Sequence, residues 1–246
     1  MRVDGNITVK DIVRGMPASA QIFEKLGIDF CCGGARSLQD ACQDVGIRVD
    51  QVVQKLEGVA RTPNPESQAA DWNTATLSSL VSHIVERHHA TCRQQLEWIG
   101  PLLAKVVKVH GANHPELGQV QPIFAKLSEE LSMHMMKEEH VLFPFITNME
   151  DAASRKANIP DMPFGTVQQP VKMMMLEHDE AGAELKEIRK LTNAFELPPG
   201  ACGSYRNLYD SLREFEQDLH QHIYLENYVL FPRTIALEET AEQALS

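Results

Sequence analysis

Apolar positions recur at helical spacing along almost the whole chain. Ile12 and Val13 follow Thr8-Val-Lys-Asp11, which resembles a capping box at a helix start. Pro17 opens a second helix with Ile22, Phe23 and Leu26 on its apolar face, and Gly27 ends it. Ser37-Leu-Gln-Asp40 opens a third that stops at Gly46, and Val49 to Leu56 form a short fourth. Residues 1–57 are therefore expected to be a small helical domain. Residues 58–73 hold Gly58, Pro63 and Pro65 among polar neighbours and read as a semi-stiff linker. A second domain over 74–240 begins with a helix that Asn73 or Thr74 can cap. In it Leu77, Leu80, Val81, Ile84 and Val85 return at mixed three- and four-residue spacings. Further helices are expected over about 116–149, 167–195 and 201–229, with a loop over 152–164 and a frayed acidic tail after Leu237. The pattern predicts an all-α chain.

One stretch of this pattern occurs twice. His134-Met-Met-Lys-Glu138 and His222-Ile-Tyr-Leu-Glu226 are each followed, after three residues, by Leu-Phe-Pro. Residues four apart share a helix face, so each copy aims an imidazole and a carboxylate at one point. Pro144 and Pro232 are expected to place each of these turns near a helix end or kink. His89 precedes His134 by 45 residues and His178 precedes His222 by 44, so the pattern repeats with a period of 88–89. That period suits a duplicated helical hairpin, giving a four-helix bundle. Four His and two Glu then converge in the bundle core, a ligand set for two metal ions with carboxylates able to bridge. His89 shares the inward side of Ile84 and Val85, whereas His88 is rotated by about 100°. His83, His88 and His140 are accordingly left out of the set.

Composition narrows the function. A formal net charge of −11 argues against nucleic acid or an anionic membrane as the main partner. The N-terminus has no apolar run suited to a signal sequence, and no stretch approaches the ~20 apolar residues of a membrane span. The expectation is a soluble cytoplasmic protein. Five Cys without framework spacing do not suggest a disulfide scaffold. Cys42, Cys92 and Cys202 read as packing residues. Cys31 and Cys32 lie in Asp29-Phe-Cys-Cys-Gly-Gly34 and have two readings. They pack a buried turn as small hydrophobes, or they are a reactive, metal-accessible pair whose thiolates a nearby helix N-terminus stabilises.

A lone His-x3-Glu is usually a surface pair, and a lone core His is usually just hydrogen-bonded. Two copies with the same tail and the same preceding His argue for a metal site. The Met173-Met-Met175 run and Met135-Met136 read as core filler. The Glu-x-x-His motif of ferritin-like di-iron bundles occurs once, at Glu86 to His89, and a second copy is lacking. The zinc-peptidase His-Glu-x-x-His is also lacking.

The histidine spacing and both Leu-Phe-Pro tails resemble the hemerythrin-like bundle. The Asp29-Phe-Cys-Cys-Gly-Gly34 motif in a separate N-terminal domain is similar to the iron–sulfur cluster repair di-iron proteins (the RIC family, YtfE/ScdA type). The resemblance implies two non-haem irons, with an oxo or hydroxo bridge, held by His89, His134, Glu138, His178, His222 and Glu226. Glu138 and Glu226 would bridge them. It further implies proton or iron-path roles for Glu130 and Glu177, roles for Cys31 and Cys32, and a homodimer. Its partners would be iron–sulfur proteins damaged in nitrosative or oxidative stress, with nitric oxide or dioxygen as small ligands. Oxygen-carrying hemerythrins use five His, whereas each repeat here supplies two His and one Glu. Both metals would then keep a position for a small ligand, which favours reactivity or metal release over oxygen storage. Two mechanisms fit: nitric oxide reduction and iron donation. A sensor or binding protein for oxygen, nitric oxide or redox state is the alternative.

Overall fold

A computed structural model describes residues 3–60, 71–157 and 165–244. Positions 61–70 of the expected linker and 158–164 of the expected loop lie outside the described residues. The fold is all-α, a hemerythrin-like four-helix bundle with a small N-terminal helical domain. Among the described residues no helix is long and apolar enough to cross a membrane. By backbone contacts the chain forms two compact units, Met1–Thr76 with Ile223–Pro232, and Leu77–His222 with Arg233–Ser246.

The first unit contains α1 (Val9–Gly15), α2 (Ser19–Leu26), α3 (Leu38–Asp44) and α4 (Val49–Ala60). Both N-caps form: Thr8 Oγ1 accepts from the Asp11 amide at 3.3 Å and Ser37 Oγ from the Asp40 amide at 3.1 Å. The two caps pair as an antiparallel bridge, through Val9 N–H to Arg36 O at 3.0 Å and Leu38 N–H to Ile7 O at 2.9 Å. Gly27 closes α2 at a φ of +69°, a conformation that costs a residue without Cβ little. Val9, Ile12, Phe23, Leu38, Val52 and Leu56 are fully buried and form the core. Residues 223–232 complete this unit. The Tyr224 hydroxyl donates to Lys10 O at 3.2 Å, and its ring lies 6.0 Å from that of Phe30.

The second unit contains α5 (Leu77–His83), α6 (Ala90–His110), α7 (Glu116–Lys137), α8 (Phe143–Ser154) and α9 (Gln168–Leu191). A final helix runs through α10 (Gly203–Leu225) and α11 (Phe231–Ala244), apart from residues 223–232, which belong to the first unit. Three π-helical turns, Ile84–His89, Glu138–Leu142 and Glu226–Leu230, interrupt three of these helices. Of the two outcomes expected at the Leu-Phe-Pro tails, an end or a kink, the helices therefore take the second; the helix expected over 116–149 runs past Pro144, and the last continues beyond its expected end at 229. Proline lacks an N–H and its ring collides with the carbonyl four residues back. In both copies the ladder opens one residue earlier instead. Phe143 N–H bonds Glu138 O and Phe231 N–H bonds Glu226 O, five residues back, and the helix continues past each proline.

The caps of the bundle also differ from expectation. Asn73 and Thr74 do not cap α5. Glu150, at the far end of α8, accepts from the Leu77 amide at 2.6 Å and the Ser78 amide at 2.8 Å. Glu238 does the same for the start of α9, accepting from the Val167 amide at 2.8 Å and Thr166 Oγ1 at 2.7 Å. Each cap lies twelve residues beyond a repeat Glu, Glu138 or Glu226, so the duplication extends to the helix starts. The tail after Leu237 is consequently helical and carries a buried carboxylate. The third long helix stops at Leu191, before three residues with positive φ, Asn193 to Phe195.

Candidate metal centre

The π turns and the helices they interrupt set the site. His89 ends the first π turn, Glu138 and Glu226 begin the other two, and His134, His178 and His222 stand on α7, α9 and α10. A π turn widens the backbone and shifts the side chains after it, which suits adjacent residues with opposing duties. His88 and His89 show this: both are buried, but they face different partners. His88 Nδ1 lies 3.2 Å from Asp218 Oδ1, and its ring stacks on that of His222 at 5.8 Å and 9°. His140 is exposed and His83 half-buried.

All six repeat residues are buried to within 2% exposure, deeply enough that unpaired charge there would be very costly. Their donor atoms fall into two groups, each within 4.8 Å: His89, Glu138, His222 and Glu226; and His134, Glu138, His178 and Glu226. Both carboxylates belong to both groups. Within each, two imidazoles point Nε2 at Nε2 across 3.1 Å, His89 to His222 and His134 to His178. A single oxygen, Glu138 Oε2, lies 3.4 Å from His89 Nε2 and 3.3 Å from His134 Nε2. Two imidazoles binding one ion at right angles with bonds of about 2.1 Å would hold their nitrogens about 3 Å apart. The donor set therefore fits a metal site, with imidazole and carboxylate oxygen suited to iron, manganese or zinc.

Two carboxylates behind the rings fix which nitrogen is offered. Glu139 Oε1 lies 2.6 Å from His89 Nδ1 and 2.6 Å from Arg93 Nη2. Glu177 Oε2 lies 2.8 Å from His134 Nδ1, and its other oxygen pairs with Lys137. A carboxylate only accepts, so each Nδ1 carries the proton and each Nε2 presents its lone pair inward. Hydrogen bonding from His134, then from Lys137, outweighs burial and holds the Glu177 carboxyl down at about 2. Burial pushes the Glu139 carboxyl up, but the bonds from His89 and Arg93 outweigh it and the group sits below its usual range. Sequence reasoning singled out Glu177 and missed Glu139. The available signal was its place beside Glu138, matching that of Glu177 beside His178.

Glu130 is exposed, with Oε1 3.3 Å from Lys126 Nζ. It joins Glu177, His134, Lys137 and Glu180 on the wall of a cleft of about 440 Å³. Met174 and Met135 are buried as expected, but Met173, Met175 and Met136 are exposed rather than core filler.

Asp29, Cys31 and Cys32 also draw together. The Sγ atoms of the two Cys lie 3.7 Å apart, and Cys31 Sγ lies 3.6 Å from Asp29 Oδ1. The expected helix N-terminus is not beside them, because α3 begins only at Leu38. The Cys31 thiol is instead pushed well up, first by its hydrogen bond with Cys32 and then by burial. Cys42 and Cys92 are buried, and burial lifts Cys92 to about 12. Cys202 is not a packing residue: it is exposed. Backbone N–H groups of the α10 start, together with His110 at 3.1 Å, bring it down to about 7.

The bundle and its buried His and Glu groups define a hemerythrin-like metal-binding protein. Residues 80–234 match the hemerythrin HHE cation binding domain, and residues 5–60 match ScdA_N, a domain of unknown function. The iron–sulfur cluster repair protein YtfE of Pectobacterium atrosepticum is 34% identical over 229 residues, covering 92% of this chain and 95% of that protein. A probable iron–sulfur cluster repair protein of Haemophilus influenzae is 33% identical over 228 residues, 92% of this chain and 96% of its own. YtfE of Cronobacter sakazakii is 37% identical over 225 residues, 91% and 94% of the two chains. The chain belongs to the family of iron–sulfur cluster repair proteins of the YtfE type.

Proposed function

We propose that this chain is a cytoplasmic two-iron protein that restores iron–sulfur proteins damaged in nitrosative or oxidative stress. The observation that carries this reading is the position of Glu138 Oε2, within 3.4 Å of one histidine from each group. A carboxylate placed there can serve two ions at once. His89 and His222 would hold one iron and His134 and His178 the other, with Glu138 and Glu226 shared and an oxo or hydroxo bridge between the irons. Bound ferrous ions would supply electrons to nitric oxide, or leave as cargo for a damaged cluster. Glu139 and Glu177 hold the rings of His89 and His134 in the tautomer that metal needs. Glu177 also lines the cleft with Glu130, where the two carboxylates can pass protons or guide a leaving cation. In this reading residues 1–57 are a domain carrying Cys31 and Cys32, 58–73 a linker and 74–240 the bundle, in a homodimer.

The test is anaerobic addition of nitric oxide to the reduced, iron-loaded protein. Nitrous oxide formation supports reduction, and iron passing to an apo-cluster acceptor supports donation. Reversible binding of nitric oxide or dioxygen with neither result would favour a sensor or binding protein. Metal analysis giving one iron per chain would overturn the two-iron reading itself.

A further inference from the structure

We infer that Asp29, Cys31 and Cys32 form a second cation site, distinct from the His and Glu groups, that takes one thiophilic divalent ion of the zinc kind.

The two sulfurs suit such an ion as they stand. Bonds of about 2.3 Å to sulfur at the tetrahedral angle set two sulfurs about 3.8 Å apart. The two Sγ atoms stand at 3.7 Å. A carboxylate oxygen on the same ion, bound at about 2.0 Å, would lie about 3.5 Å from each sulfur. Asp29 Oδ1 lies 3.6 Å from Cys31 Sγ and would exchange the longest of its amide bonds, that from Cys31 at 3.2 Å, for the ion; donor atoms of all three residues lie within 4.8 Å of one another. A disulfide needs an S–S distance of about 2.05 Å, so the observed spacing is that of two separate donors.

The loop is built to hold this shape. Asp29 Oδ1 accepts the amides of Cys31, Cys32 and Gly33 at 3.2, 2.9 and 3.0 Å, which fixes the carboxylate over the thiols. Asn227 Nδ2 donates to Cys31 O at 3.1 Å and the Tyr228 hydroxyl to Cys32 O at 2.9 Å, fastening the loop from its other side. A Cβ at Gly33 would press on Asp29 Oδ2 at 3.3 Å, so glycine leaves room beside that oxygen. Cys31 is buried, while Cys32 and Asp29 are half-buried and give a cation its way in.

A carboxylate and two thiolates drawn to one point would need a cation to offset their charge. On binding, each sulfur gives its proton to solvent and its lone pair to the ion, and no electron is transferred. Three protein donors leave a fourth position for water or another ligand, the mark of an exchangeable ion.

Anaerobic titration of the full-length, iron-loaded protein with cobalt(II) tests the site. The expected result is a sulfur-to-cobalt charge-transfer band with tetrahedral visible bands, saturating at one equivalent and displaced by zinc. The His and Glu groups contain no sulfur and cannot produce it. The band should vanish in Cys32→Ser, a half-buried position where the fold and iron content should survive, and persist in Cys202→Ser. Absence of the band, its survival in Cys32→Ser or its loss in Cys202→Ser would each overturn the site. X-ray absorption on the zinc-loaded protein should count two sulfurs with oxygen or nitrogen neighbours. A shell of four sulfurs, two chains sharing an ion, would overturn the Asp29 assignment.

Discussion

Glu139 lies 2.6 Å from Nδ1 of His89, behind the ring whose Nε2 faces His222. Glu177 stands in the same relation to His134, and each carboxylate has a cation beside it, Arg93 or Lys137. The two halves of the centre are thus supported alike by residues from different positions in the repeat. Glu139→Gln and Glu177→Gln should each weaken metal binding by roughly ten- to a hundredfold, through a loosened ring and a less basic Nε2. Iron lost to a chelator over time measures it. Equal retention by both variants and the parent protein would show that the rings are held by packing alone.

The shared carboxylates and the unshared histidines should behave differently. Glu138→Ala should weaken metal binding at both groups, because its side chain belongs to both, whereas His178→Ala should spare the group of His89 and His222. Iron per chain, with helicity by circular dichroism as the control for folding, separates these outcomes. A Glu138→Ala protein with full metal content would overturn the proposed bridging role.

Glu150 and Glu238 reach back to cap the first helix of each half. Replacing Glu150 by Gln should destabilise the protein by about 1 kcal/mol, from the loss of a charged cap at a helix N-terminus. Burial pushes the Glu150 carboxyl up, but hydrogen bonds from Ser78 and Leu77 outweigh it, so its folded pKa lies below the ordinary value. The stabilisation is therefore complete above the ordinary carboxylate range and fades as pH falls through the depressed folded value. Urea unfolding of the parent and Glu150→Gln at neutral and acidic pH should show a gap that narrows in acid. A gap independent of pH would mean that charge plays no part.

Gly34 sits where the motif loop passes closest to its support. A Cβ there would lie 2.4 Å from Phe30 O and 2.9 Å from the Tyr228 ring. Backbone cannot yield as a side-chain tip can, so Gly34→Ala should cost on the order of 1–3 kcal/mol. Gly27→Ala is a different control, because open space surrounds it and only its φ of +69° resists the methyl. The midpoint of thermal unfolding reads both. An unchanged midpoint for Gly34→Ala would show that the loop can back away from Phe30 and Tyr228.

Much of the centre was legible because helical spacing ties sequence separation to a face. His134 with Glu138, and His222 with Glu226, needed only the four-residue rule. His89 and His178 needed the duplication as well. The choice of His89 over His88 followed from apolar neighbours at four and five residues, although a π turn, invisible in spacing, runs through that segment. The prolines signalled a helix end or a kink without choosing between them: a ladder break can end a helix or widen it, and only packing on both sides of the break selects the second.

Contacts between distant segments had no such signal. Glu150 caps a helix that starts 73 residues earlier, and nothing in its local pattern distinguishes it from a solvated acid. Glu139 carried no signal of its own in the sequence, and only the fold sets His89, at the end of the first π turn, and Arg93, on α6, against it. The Cys pair was read beside a helix N-terminus, but the chain passes through Gly33 and Gly34 and starts α3 too late. Sequence by itself determined the all-α class, the doubled hairpin and the inward ligand faces, because those depend on period and local propensity. Tertiary structure alone decided which carboxylates orient the rings, which cap the helices and how the thiols are held, because those depend on through-space contacts that no local period encodes.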